Sequence, residues 1–164
     1  MKKIFLIRHA KTSKSAASSK DFDRSLKVKG VAQSHWHRGF LTSSFFHLDA
    51  VYHSNARRTS QTAEIIFSQK NIPLNSIDYL YLGSDSDYQK LLQTLPNDEN
   101  NIAIVGHNPG ISDFAYYLTG EHINFNTAQC LIIDFPIEDW KGIVKDLGII
   151  EQNFTPDVVD PIDD

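Results

Sequence analysis

The chain has 164 residues, of which 41% are hydrophobic and 22% are charged, and its formal net charge is −4. This length predicts one domain with a substantial core, and the acidity argues against nucleic acid as the main partner, because binding to a phosphate backbone requires a basic face. A single cysteine, Cys130, excludes an internal disulfide, and no apolar run approaches the length of a membrane span, so we expect a cytoplasmic protein without a membrane partner.

Short apolar runs alternate along the chain with longer segments of helical periodicity. The runs are rich in β-branched residues and nearly continuous, which is typical of strands buried on both faces. They predict strands at residues 4–7, 48–52, 102–105 and 131–135, with a further run at 143–147. The periodic segments predict helices within residues 28–41, 57–70, 87–96 and 108–120. Strands that alternate with helices indicate an α/β fold with a mostly parallel sheet.

Two segments have a different composition. Residues 11–25 form a long polar stretch rich in Ser and Lys, and long loops in compact domains tend to be functional or disordered. Residues 151–164 are acidic and contain proline, which predicts a poorly ordered tail. We therefore expect a domain over residues 1–150, followed by the tail.

The predicted strands end in residues of one chemical kind. Arg8 and His9 follow the first strand, Arg57 and Arg58 follow the second, and His107 follows the third. In open α/β sheets, ligands bind outside the carboxyl ends of the strands. Burying so much positive charge is unfavourable unless an anion compensates it. The pattern predicts a pocket for a compact oxyanion, and phosphate fits best because arginine forks match its oxygens two at a time.

Three motifs occur in a fixed order, "LIRHAK", "SNARRTSQTA" and "VGHNPG". Together they resemble the histidine phosphatase superfamily, also called phosphoglycerate-mutase-like, over residues 2–150. The segment "DFDRSLKVKG" is similar to another stretch of that family, with Ser25 where proline is usual. The short chain and the continuation Ala10-Lys11 resemble the SixA-like phosphohistidine phosphatases. The resemblance implies a three-layer α/β/α sandwich.

The resemblance also implies roles for particular residues. His9 would be the nucleophile that takes the phosphoryl group, Arg8 and Arg58 would bind its oxygens, and His107 would donate a hydrogen bond to them. Arg24, in the "DRSL" segment, would be a further substrate-binding residue.

The spacing of Ser54 from the following arginines favours Arg58 over Arg57 as the pocket residue. Arg57 is then expected on a solvated face. A neutral imidazole is a capable nucleophile near neutral pH. Arginines supply the charge stabilisation that phosphoryl transfer needs. No carboxylate cluster has convincing metal spacing, so we expect neither a metal nor another cofactor.

The sequence does not identify the general acid. Asp85 and Asp87 are the candidates, but both could equally cap the helix that follows them. A histidine imidazole, with an ordinary pKa of about 6.5, leaves far more easily than an alkoxide and needs less acid help. We therefore expect a metal-independent phosphatase acting on phosphohistidine of a protein partner. The alternatives are a small-molecule phosphomonoesterase and, outside enzymes, a module that binds phosphate or phosphoproteins without turnover.

Overall fold

The centre of the fold is a mixed β-sheet. The structure, a computed structural model, describes residues 1–14, 20–43 and 46–159. Within these ranges the strands are β1 (Lys2–Arg8), β2 (Ala50–Ser54), β3 (Leu74–Ile77), β4 (Asn101–Gly106), β5 (Cys130–Phe135) and β6 (Ile149–Phe154). Their order in the sheet is β3-β2-β4-β1-β5-β6. Strands β1 to β4 run parallel, whereas β5 and β6 are antiparallel to their neighbours, which confirms the mostly parallel sheet.

Helices cover both faces of this sheet. They are α1 (Val28–Ser43), α2 (Arg57–Phe67), α3 (Asp85–Thr94) and α4 (Gly110–Thr119). Successive residues of β1 point to opposite faces. Ile4 belongs to the core cluster that contains residues of α3 and α4, whereas Phe5 belongs to the cluster that contains residues of α1 and α2. The predicted three-layer α/β/α sandwich is confirmed.

The edges of the sheet differ from the sequence prediction. No strand forms at residues 143–147; the last strand is β6, and its residues alternate between exposed and half-buried positions. The edge strand β3 also alternates in this way, and the sequence analysis missed it. An edge strand has one neighbour and a solvated face, so it lacks the continuous apolar run by which central strands are recognised.

The predicted boundary between the domain and the acidic tail falls within a strand. Strand β6 crosses the expected boundary at residue 150, and its residues Gln152, Asn153 and Phe154 pair with β5. Residues 160–164 of that predicted tail and residues 15–19 of the predicted polar loop lie outside the described residues. In the part of the chain that the structure describes, no helix combines the length and apolar character needed to cross a membrane.

Candidate active site

The parallel strands bring their carboxyl ends to one edge of the sheet. Strands β1 and β4 pair in a register that places Arg8 opposite Gly106. The residues that follow these two strand ends, His9 and His107, are therefore neighbours. The backbone N–H of His9 donates to the Gly106 carbonyl at 3.0 Å, and the two imidazole centroids are 5.3 Å apart.

A pocket of about 620 Å³ opens at this edge. Every site residue predicted from the sequence lines it, namely Arg8, His9, Arg24, Arg58 and His107. The neighbouring Arg57 is exposed, whereas only 3% of Arg58 is exposed. The first turn of α2 therefore directs the second of its two arginines into the site.

His9 is held as a neutral imidazole with a defined tautomer. Its Nδ1 lies 2.8 Å from the Ala10 carbonyl oxygen; a carbonyl can only accept, so Nδ1 carries the hydrogen and Nε2 keeps its lone pair. Burial, together with the charges of Arg58 and Arg8, lowers the pKa of His9 to about 4. At neutral pH Nε2 is therefore free to act as a nucleophile.

Arg8 and Arg58 are anchored by part of each guanidinium only. Nη1 of Arg8 donates to the Phe125 carbonyl at 2.8 Å. Nη1 of Arg58 donates to the Asp21 carbonyl at 2.8 Å, and its Nη2 donates to Asp21 Oδ2 at 3.1 Å. Among the described residues, neither buried Nε has a hydrogen-bond partner. Two oriented cationic N–H groups are thus left for an oxyanion.

His107 is fixed from two sides. Its Nε2 lies 2.6 Å from Ser54 Oγ, and its backbone N–H donates to the Tyr88 hydroxyl at 3.1 Å. Gly106 permits this approach, because a Cβ there would lie 2.1 Å from the Tyr88 hydroxyl oxygen. Burial, with the charge of Arg58, lowers the pKa of His107 to about 3. Its buried Nδ1 has no partner in the described chain, and it can donate to an oxyanion when Ser54 donates to Nε2.

Asp21 is a site residue that the sequence analysis missed. It accepts from the Tyr81 hydroxyl at 2.8 Å, from Arg24 Nη1 at 3.0 Å and from Arg58 Nη2 at 3.1 Å. Partial burial by itself would raise the pKa of Asp21, but the hydrogen bonds from Tyr81 and Arg24 and the charge of Arg58 lower it to about 2. Asp21 is therefore a carboxylate that orients arginines. Its place in the "DFDRSL" segment, three residues before Arg24, was the available signal.

Three lysines, Lys11, Lys14 and Lys27, also line the pocket. The sequence analysis did not assign them to the site, although it marked the Ser- and Lys-rich segment that contains the first two. The described lining therefore carries six lysines and arginines and one carboxylate.

Asp85 and Asp87 do not line this pocket. Asp87 Oδ2 accepts from the backbone N–H of Ser84 at 2.8 Å and from its hydroxyl at 3.1 Å, and the pair forms a capping box at the start of α3. Asp85 accepts from Gln89 on the same helix at 3.2 Å. The geometry favours helix capping over acid catalysis for Asp87, and it gives Asp85 a side-chain hydrogen bond within α3 in place of a position in the pocket. No group of three or more His, Cys, Asp or Glu side chains within the described ranges is placed to hold a metal ion.

Comparisons with known proteins agree with this geometry. Residues 4–81 match the family model of the histidine phosphatase superfamily (branch 1), a segment that includes Arg8, His9, Arg24 and Arg58. An uncharacterized protein of Mycobacterium leprae is 29% identical over 133 residues, which are 79% of this chain and 81% of that protein.

Solved structures share the fold. The crystal structure of a candidate phosphohistidine phosphatase SixA from Agrobacterium tumefaciens has a TM-score of 0.82 and 23% identity, over 94% of this chain and 98% of that one. The protein histidine phosphatase SixA complexed with tungstate has a TM-score of 0.79 and 22% identity, over 93% of this chain and 96% of that one. Together with the match over residues 4–81, these structures show that the chain is similar to the histidine phosphatase superfamily in part of its sequence and in its fold.

Proposed function

We propose that the chain is a SixA-like, metal-independent phosphohistidine phosphatase that acts on a phosphorylated histidine of a protein. The lone pair of His9 Nε2 attacks phosphorus, and the bond between phosphorus and the substrate imidazole breaks. The second ring nitrogen of the substrate imidazole carries a proton, so the ring leaves as neutral imidazole, and the phosphoryl group is carried on His9. A water molecule then attacks that phosphoryl group, which leaves as inorganic phosphate and returns His9 to its starting state.

The observation that carries the proposal is the state of Asp21, the one carboxylate among the described residues that line the pocket. With a pKa of about 2, Asp21 holds no proton to donate at neutral pH. A sugar or serine alkoxide leaves poorly without a general acid. An imidazole, with an ordinary pKa of about 6.5, leaves without one. The pocket therefore suits cleavage of a phosphorus–nitrogen bond.

The remaining groups suit the charge that develops during transfer. The unpaired Nε–H groups of Arg8 and Arg58 and the Nδ1 of His107 can bind the equatorial oxygens of the phosphoryl group. This supplies electrostatic stabilisation from positions already fixed in the free protein, without a metal. The tungstate in one structure of similar fold is a tetrahedral oxyanion like phosphate, which supports the use of such a pocket for the phosphoryl group.

The test is phosphate release from a protein carrying phosphohistidine, compared with release from a panel of phosphate monoesters. We expect kcat/KM to favour phosphohistidine by at least about a hundredfold, the lower end of what general acid catalysis contributes, and a chelator to leave the rate unchanged. His9→Ala should abolish turnover but still bind tungstate. A preference for an ester would identify a small-molecule phosphomonoesterase. Loss of activity with chelator would overturn metal independence, and wild-type binding without any turnover would identify a binding module.

A further inference from the structure

The pocket carries more positive charge than a phosphoryl group requires. Its described lining has a formal charge of +5, although the whole chain has −4. A phosphoryl dianion neutralises two of these charges, which Arg8 and Arg58 provide at the reacting atoms. Arg24 is engaged with Asp21 at 3.0 Å, and Asp21 is already counted in the sum. The surplus corresponds to the three lysines, Lys11, Lys14 and Lys27, here called the lysine rim.

The lysine rim is exposed, and within the described ranges none of its members forms an ion pair with a carboxylate. The backbone presents it as a unit. The N–H of Lys27 donates to the Lys11 carbonyl at 2.9 Å, and Thr12 pairs with Leu26 in an antiparallel bridge. Three like charges on paired segments repel one another, so the arrangement favours the presence of anions at this edge of the pocket.

The charge of the rest of the chain indicates which kind of molecule carries those anionic groups. Outside the pocket lining the chain has a formal charge of −9. The net charge of the rest of the chain therefore repels an acidic partner while the pocket attracts it, which orients its approach. Exposed ammonium groups on flexible stems suit carboxylates that are distributed over a protein surface, whereas arginine forks suit a fixed phosphate.

We propose that the lysine rim binds Asp and Glu side chains that flank the phosphohistidine of the substrate protein. This inference rests on the proposed function and names the class of protein surface that the same site selects. The arginines and histidines bind the phosphoryl group, and the lysine rim binds the acidic residues beside it.

The experiment uses three substrates, namely a phosphohistidine peptide with flanking Asp residues, its twin with Asn in their place, and phosphoimidazole. Wild type should favour the acidic peptide over its twin by about tenfold in kcat/KM at low salt, which corresponds to three exposed charge pairs of about 0.5 kcal/mol each. Added salt should reduce the preference. The variant Lys11→Gln/Lys14→Gln/Lys27→Gln should lose this preference. Relative to wild type, its kcat/KM should fall about tenfold more for the acidic peptide than for phosphoimidazole.

The matched control is Lys90→Gln/Lys141→Gln/Lys145→Gln, which removes the same charge from exposed positions that do not line the pocket. It should keep the preference. Equal kcat/KM for the two peptides with wild type, or an unchanged preference in the rim variant, would overturn the proposal, as would the same loss in the control.

Binding to His9→Ala separates this inference from the proposed function. The dissociation constants of the two phosphohistidine peptides for this variant report the rim without turnover. One outcome is that wild type releases no phosphate from any of the three substrates while His9→Ala binds the acidic peptide more tightly than its twin. That result would refute the proposed reaction and support the proposed role of the lysine rim. Equal dissociation constants would refute the rim, whatever the turnover.

Discussion

The reactivity that we propose for His9 depends on the groups around its imidazole. Burial keeps the proton off the ring, and the neighbouring arginines oppose its return. The Ala10 carbonyl holds the hydrogen on Nδ1, which leaves Nε2 with the lone pair that the proposed attack requires. The arginines that we propose bind the phosphoryl group thus also keep the proposed nucleophile neutral.

Asp21 gives a prediction at the same scale. Asp21→Asn removes the charge that orients Arg58 and Arg24, and Arg58 loses a charge-assisted hydrogen bond. We expect kcat/KM to fall by about tenfold, equivalent to one such bond. The fall should have the same factor for phosphohistidine and for phosphate esters. Tungstate should bind no more weakly than to wild type, because the pocket becomes more positive.

A general acid would behave differently. If Asp21 protonated the leaving group, the loss would be about 10²- to 10⁴-fold and would be largest for esters. Steady-state kinetics on both substrate classes, with tungstate affinity measured by calorimetry, distinguish the two roles. A loss confined to esters would contradict the orienting role assigned here.

Helix α1 is the element that supports the backbone around His9. Gln33 Oε1 accepts from the backbone N–H of Lys11 at 3.0 Å. One turn later, His37 Nε2 donates to the Ala128 carbonyl at 2.6 Å, and the N–H of Ala128 donates to the His9 carbonyl at 3.1 Å. Two side chains on one face of α1 thus fix the backbone on both sides of the site.

The start of α3 gives a prediction about Asp85 and Asp87. Asp87→Ala removes the capping box, and we expect it to lower the free energy of unfolding by about 1 kcal/mol, the usual cost of a lost cap. Turnover of phosphohistidine should persist, because the residue does not line the pocket. Urea denaturation and phosphate release measure the two effects.

Asp85→Asn is the matched variant on the same helix turn, since it keeps the side-chain volume and an acceptor for Gln89. We expect it to retain both stability and turnover. If removing either carboxylate abolished turnover without lowering stability, that residue would be the general acid and the capping interpretation would be wrong.

The stability of the whole molecule depends on histidines that are buried in the neutral form. Burial is the main cause that lowers the pKa of His9 and His37 to about 4 and that of His107 to about 3. In the unfolded chain these groups titrate near about 6.5. As the pH falls below about 6.5, the unfolded chain takes up protons that the folded chain does not. The part of the unfolding free energy that these histidines contribute above that pH is therefore lost progressively down to about pH 4.

We therefore expect the free energy of unfolding to fall between pH 7 and pH 5, with each histidine contributing up to about 1.4 kcal/mol per pH unit. Urea denaturation at a series of pH values measures the slope. His37→Gln is the control, because its amide can still donate to the Ala128 carbonyl but cannot titrate. The unfolding free energy of this variant should depend less steeply on pH, by the equivalent of up to one proton. An unfolding free energy that stays constant over this range would contradict the neutral buried state.

At all three scales, the sequence by itself determined what depends on local order along the chain. The apolar runs of β1 and β4 specify buried central strands, because a strand covered on both faces requires such a run. The residues after those runs, Arg8, His9 and His107, are expected at the carboxyl edge of the sheet if the strands are parallel neighbours, and β1 and β4 are parallel neighbours. The order of the motifs was sufficient to predict the family, and the spacing from Ser54 selected Arg58.

Only the tertiary structure decided what depends on contacts between distant segments. Asp21 becomes a site residue because it meets Arg58 and Tyr81, which lie 37 and 60 residues away. Strand β6 gains its pairing from β5, so its weak apolar pattern could not identify it. The lysine rim depends on the bridge between Thr12 and Leu26. Long-range pairing and burial choose these partners, and neither is encoded in a residue's immediate neighbours.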